Sequence, residues 1–233
     1  MAKFGLDYAI FGAQGQAGVR YGPQISTHLP VDNIVLMNNR IKLPIVLALL
    51  CCLLFQSAYA NELAIWDKLQ GTNPKGYVLL LRHTIAPGVG DPENFKLNDC
   101  STQRNLSQVG RDDAKAVGDW LKRRDIKISR VESSRWCRAK QTAQLLGIGK
   151  VRLNSNLDSL FESKDPAKAI QTVRVKKQIV DWRNKSGLLV LVGHFINIGA
   201  VAGVGVGSGE GVLVKADSKG RITVVGLTPK LGR

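Results

Sequence analysis

The residues best equipped for chemistry come in pairs at the ends of apolar runs. Arg82-His83 directly follows Tyr77-Val-Leu-Leu-Leu81, and Gly193-His194 directly follows Leu188-Leu-Val-Leu-Val192. The chain has only three histidines, the third being His28. Imidazole is the side chain that serves as nucleophile or proton carrier near neutral pH. A third cluster, Ser133-Ser134 followed by Arg138, lies where a strand gives way to a helix. The first turn of such a helix offers free N–H groups to an anion, and guanidinium groups match phosphate oxygens with paired donors. Two arginines and two imidazoles brought together would hold a tetrahedral dianion. The chemistry this suggests is recognition of a phosphate group.

For that convergence the carriers must be strands that share one sheet. Tyr77–Leu81 and Leu188–Val192 are uninterrupted apolar runs, the pattern of strands buried on both faces. Ile128–Glu132 reads as another strand, and shorter β segments are expected at Gly211–Lys215 and Arg221–Gly226. Ser107 is placed to cap a helix running to about Arg124, in which Ala114, Val117 and Leu121 share a face with Trp120 beside them. A second helix is expected from Ala139 to Leu146, ended by Gly147, and a third from Asp165-Pro166 by the cap-then-proline rule. Alternating strands and helices with wholly apolar strands predict an α/β protein, a three-layer α/β/α sandwich around a largely parallel sheet. In such sheets ligands bind at the carboxyl ends of strands, where both histidines fall.

These motifs resemble those of the histidine phosphatase superfamily, also called phosphoglycerate-mutase-like. The Arg-His-Gly motif after the first strand is matched by Arg82-His83-Thr84, with Thr84 in place of glycine. Arg104-Asn-Leu-Ser-Gln-Val-Gly110 is similar to the family's Arg-x-Leu-Ser/Thr-x-x-Gly. Ser133 to Ala143 carries its Ser-Ser-x-x-x-Arg-Ala-x-Gln-Thr-Ala motif, and Gly193-His194 its final Gly-His. The four pieces occur in family order. The segment from Pro87 to Gln103 and Trp136-Cys137-Arg138 resemble an exported bacterial branch. The resemblance implies a histidine phosphatase fold and a two-step phosphoryl transfer needing no metal or other cofactor. His83 would be the nucleophile, while Arg82, Arg138 and His194 bind phosphoryl oxygens, with Thr84 and Arg104 as further phosphate-binding candidates. Many members supply a leaving-group acid as Leu-x-Glu. Glu162 in Leu160-Phe161-Glu162 fills that role here, with Asp158, Asp91 and Glu93 as alternatives.

The N-terminal 60 residues read differently. Met37-Asn-Asn-Arg-Ile-Lys42 is basic, Leu43–Phe55 is apolar, and Ala58-Tyr59-Ala60 has the small residues of a cleavage site. That order is a secretory signal peptide over 37–60, with cleavage after Ala60. Residues 1–36 precede it as an extension or an over-extended reading frame, and 61–233 form the domain. The expected location is periplasmic or secreted, with no stable membrane anchor after cleavage. Cys100 and Cys137, the two cysteines past Ala60, then meet an oxidising compartment and are expected to form a disulfide. A Cys₂His₂ zinc site with His83 and His194 is the alternative, although the spacing lacks C-x₂-C or H-x₃-H.

The whole chain has 33 basic and 18 acidic residues in 233, a net charge of +15. Export and the lack of an aromatic-interleaved basic motif argue against nucleic acid as partner. The excess charge is better suited to drawing in a small anionic phosphorylated substrate. An exported phosphomonoesterase is therefore expected. The alternatives are a phosphate-binding or regulatory module that has lost turnover, motivated by Thr84 and the unassigned acid, and a phosphomutase.

Overall fold

Six strands form one sheet in the order β3-β2-β4-β1-β5-β6. They are β1 (Tyr77–Arg82), β2 (Ile128–Ser133), β3 (Val151–Leu153), β4 (Leu188–Gly193), β5 (Gly211–Ala216) and β6 (Ile222–Leu227). The structure is a computed structural model that describes residues 65–231. The signal-peptide segment 37–60, the extension 1–36 and the junction at Ala60 lie outside the described residues. Pairing is parallel from β3 through β2 and β4 to β1, and β5 and β6 add on antiparallel. The largely parallel sheet expected from the apolar runs is found.

Because side chains alternate across a strand, each central strand feeds two cores. Leu79 and Leu81 of β1, with Leu188, Val190 and Val192 of β4, meet Val117, Trp120 and Leu121 of α1 (Gln108–Arg123) and Ala139 and Ala143 of α2 (Cys137–Leu145). Val78, Leu80, Leu189 and Leu191 face the other way. They meet Val175, Ile179 and Trp182 of α3 (Ile170–Trp182) and Ile198 and Val201 of α4 (Phe195–Ala202). Helices thus cover both faces, giving three layers. Every β4 residue is buried, which is why its sequence is apolar throughout.

Helix α1 starts as expected, with the Ser107 hydroxyl accepting from Gly110 N–H. Gly110 is needed for a close approach, since a Cβ there would run into the backbone carbonyl of Ile85. That carbonyl also accepts the Ser107 N–H at 3.0 Å, so the segment after His83 is clamped to the start of α1. Helix α2 begins at Cys137 rather than Ala139, because the Trp136 carbonyl accepts from both Ala139 and Lys140 and so closes the first turn. Helix α3 begins at Ile170 rather than Asp165-Pro166. The Asp165 carbonyl takes the N–H groups of Lys168 and Ala169 in a separate turn, and extended backbone at Ala169 divides that turn from the helix. Strand β3 and helix α4 are additions to the elements read from sequence. Cys100 and Cys137 form the expected disulfide, with Cα atoms 5.7 Å apart.

Candidate active site

The parallel register brings the chemical residues to one end of the sheet. Arg82 pairs with Gly193, and Ser133 with Val192. The pairing runs one residue beyond each strand: His83 N–H donates to Gly193 O at 3.0 Å and Ser134 N–H to Val192 O at 2.9 Å. His83 and His194 therefore emerge side by side, their ring centroids 5.4 Å apart. Both rings line a cavity of about 290 Å³ together with Arg82, Arg104 and Arg138.

His83 is buried, and its Nδ1 lies 2.8 Å from the Thr84 carbonyl. A carbonyl only accepts, so Nδ1 carries the proton and Nε2 keeps its lone pair. Burial drives the imidazole toward its neutral form; the Thr84 hydrogen bond opposes this, and the charges of Arg138, Arg82 and Arg104 reinforce it, leaving a pKa of about 3. The ring is thus neutral, with a free lone pair on Nε2, across the neutral range. His194 is likewise held well below its ordinary value, by burial first and then by His83 and the three arginines.

The Ser134 hydroxyl lies 2.9 Å from His194 Nε2. It is also 3.3 Å from Asp158 Oδ1, and Asp158 receives Arg135 N–H at 2.9 Å and Arg135 Nε and Nη2 at 2.7 and 2.5 Å. The Ser134 hydroxyl donates to Asp158 and accepts the Trp136 N–H at 3.2 Å, and so links that carboxylate to the His194 ring. Ser133-Ser134 stood in the sequence motif, but the pairing of Ser134 with His194 depends on β2 lying next to β4.

Each arginine is held differently. Arg82 donates Nη1 to Val206 O at 3.0 Å and stands over the Phe195 ring at 5.2 Å. Arg104 donates Nε to Gly90 O at 2.8 Å and Nη1 to Ala86 O. Arg138 is almost fully buried and gives both terminal nitrogens to Asp91, at 2.6 and 3.1 Å. This leaves the Nε side of its guanidinium, and Nε is buried without a protein partner, as is Nε of Arg82. Unpaired buried donors cost free energy that an anion would recover. Burial alone would raise the Asp91 carboxyl, but hydrogen bonds from Arg138 and Trp136 outweigh it and hold the group below the usual carboxylate range.

Other sequence candidates fall elsewhere. Thr84 is fully buried, with its hydroxyl 3.2 Å from that of Thr142 on α2 and outside the cavity lining. The side chain that replaces the motif glycine thus braces helix α2 and does not crowd the pocket. Glu162 and Glu93 are exposed and outside the lining. Asp158 is locked by Arg135 and Asp91 by Arg138, so neither carboxyl is free to deliver a proton. The first turn of α2 offers less than expected, because Cys137 N–H goes to the Gln103 side chain at 2.9 Å. Helix α4, unforeseen in the sequence, begins directly after His194, with Phe195 and Ile196 on the cavity wall. Its N-terminus therefore adds favourable polarity for an anion. The disulfide commits both cysteine sulfurs, which removes the thiolates that a Cys₂His₂ zinc site would use. No group of three or more histidine, cysteine or acidic side chains with metal-binding geometry occurs among the described residues.

A scan against protein-family models finds no match, and neither does a search of curated proteins. Solved structures do resemble the chain. The protein histidine phosphatase SixA complexed with tungstate is 19% identical, with a TM-score of 0.49, over 67% of this chain and 96% of its own. A putative phosphohistidine phosphatase SixA from Nakamurella multipartitia is 16% identical, with a TM-score of 0.49, over 66% and 95%. Phosphoserine phosphatase from Entamoeba histolytica in complex with 3-phosphoglyceric acid is 14% identical, with a TM-score of 0.49, over 66% and 97%. At under 20% identity, nothing about activity passes from these proteins to this one.

Proposed function

We propose that this protein is a metal-independent phosphomonoesterase of the histidine phosphatase superfamily that works through a phosphohistidine at His83. One observation carries the reading. A neutral, Nδ1-protonated imidazole lies in the same cavity as three arginines and a second histidine. A phosphoryl group seated on Arg82, Arg138 and His194 presents phosphorus to His83 Nε2, whose lone pair forms the N–P bond as the ester oxygen leaves. The fixed guanidinium groups stabilise the charge of the transition state without reorganising. Water then attacks phosphorus, the N–P bond breaks and inorganic phosphate is released. The substrate is a small anionic phosphate monoester, and neither nucleic acid nor a membrane anchor enters the reaction. The leader and the disulfide together favour export to a periplasmic or secreted location.

Occupation of one face of Arg138 by Asp91 favours a second reading, a phosphate-binding module without turnover. Hydrolysis of p-nitrophenyl phosphate in excess chelator, run beside His83→Ala, decides between them. The enzyme reading expects turnover that survives the chelator, disappears in the variant and passes through an acid-labile phosphoprotein. Phosphate binding without turnover by the wild type would establish the module.

A further inference from the structure

The deep end of the cavity is cationic, but its mouth has another chemistry. Val89, Phe161 and Phe195 all line it, and they are 84%, 55% and 44% exposed. They belong to a group of only eight large hydrophobic side chains this exposed among the described residues. Single exposed apolar residues need no explanation, but convergence on one opening does. The three come from separate segments: the loop after β1, the turn after Leu160, and the first residue of α4. Neither phenylalanine belongs to a buried core. The Phe161 ring closes over Gly90, where an added Cβ would lie 3.8 Å from it, so two of the segments meet at the rim. Ile196 also lines the cavity, and Ser159 is the one hydroxyl side chain in the lining.

Two consequences follow for the leaving group. A sugar would find one hydroxyl, Ser159, in the lining, and the charged groups that reach the rim are Arg104, held on Gly90 O, and Arg82, held against the Phe195 ring. A flat apolar group would instead bury its faces against two phenyl rings. The lining also contains no Asp or Glu. An alcohol leaving without a proton must depart as an alkoxide about as basic as hydroxide, whose parent water has a pKa of about 15.7. A phenolate is far more stable, the phenol having a pKa of about 10.

We propose that the rim of Val89, Phe161 and Phe195 is an aryl subsite, and that the substrates are phosphate monoesters of phenols. The inference rests on His83 being the nucleophile. As His83 Nε2 bonds to phosphorus, the P–O(aryl) bond breaks, and the phenolic oxygen leaves with the electron pair as phenolate. It takes its proton afterwards from water.

The test compares three substrates on the purified chain and on Val89→Ser/Phe161→Ser. Acetyl phosphate has a good leaving group and no ring. Phenyl phosphate has the ring, and cyclohexyl phosphate has similar bulk without the stable phenolate. The wild type should prefer phenyl over cyclohexyl phosphate by at least about 10²-fold in kcat/KM, the low end of what a general acid supplies. In the variant the ratio of phenyl to acetyl phosphate turnover should fall about tenfold, through KM, as expected for losing roughly 1.4 kcal/mol of apolar contact. Equal use of phenyl and cyclohexyl phosphate, or an unchanged ratio in the variant, would overturn the aryl subsite while leaving the phosphatase reading intact. Failure of the wild type to hydrolyse all three substrates would remove the nucleophile itself, and the aryl subsite with it.

Discussion

Ser134 shows how much of a site can hang on one hydroxyl. Its contact with His194 Nε2 holds the second ring beside that of His83, and the same hydroxyl reaches the Asp158 carboxylate that Arg135 binds in bidentate fashion. Ser134→Ala should lower kcat by about 3- to 10-fold, the worth of one such hydrogen bond. KM for the phosphoester should change little, and steady-state kinetics beside a thermal melt will separate this from a folding defect. That His83, His194 and the three arginines share one cavity was legible in the sequence because each belongs to a motif, and His83 and His194 directly follow apolar runs. The roles of Thr84 and Glu162 were not. Whether Thr84 turns to phosphate or to Thr142 depends on α2, which is 58 residues away in the chain. An exposed carboxylate such as Glu162 carries no local mark distinguishing an acid from a solvated charge. The aryl rim was equally hidden, since Val89, Phe161 and Phe195 become neighbours only when three segments fold to one opening.

The most consequential element is the segment between β1 and α1. It supplies Val89 and Arg104 to the pocket and Asp91 to the Arg138 guanidinium, and it is tied down at both ends. Ile85 is clamped by Ser107 and Gly110, and Cys100 is bonded to Cys137, next to Arg138 on the cavity wall. Within the segment, Gln103 donates to Lys96 O and Leu97 O while its carbonyl oxygen accepts Cys137 N–H. Replacing both Cys100 and Cys137 by serine should cost about 2–4 kcal/mol of stability, read from urea unfolding. It should also raise KM more than it lowers kcat, because the segment positions Arg138 but does not carry the nucleophile. The sequence disclosed this link through its cysteine count. It misplaced the start of α3 because Asp165-Pro166 is an equally good signal for the isolated turn found there.

At the scale of the whole molecule, the two buried neutral histidines couple folding to pH. Their folded pKa values lie below the unfolded value of about 6.5, so the unfolded chain binds more protons over that interval. Stability is therefore complete above about pH 6.5 and falls as pH drops toward the folded values. Between pH 7 and pH 4 the loss from His83 should approach ~3 kcal/mol, and His194 adds to it in the same direction. Urea unfolding at the two pH values should show it, and His83→Asn should reduce the slope. The sheet was the most legible feature at this scale, because wholly apolar strands such as β4 have few alternatives to burial on both faces. Its strand order gives the site an uneven resistance to unfolding. The amides of His83 and Ser134 are locked into the central ladder, whereas Val89 and Phe161 ride on loops with few backbone bonds. Local openings release such loops well before the ladder. On warming, the protein would lose its discrimination among leaving groups first and its capacity to break the phosphoester last.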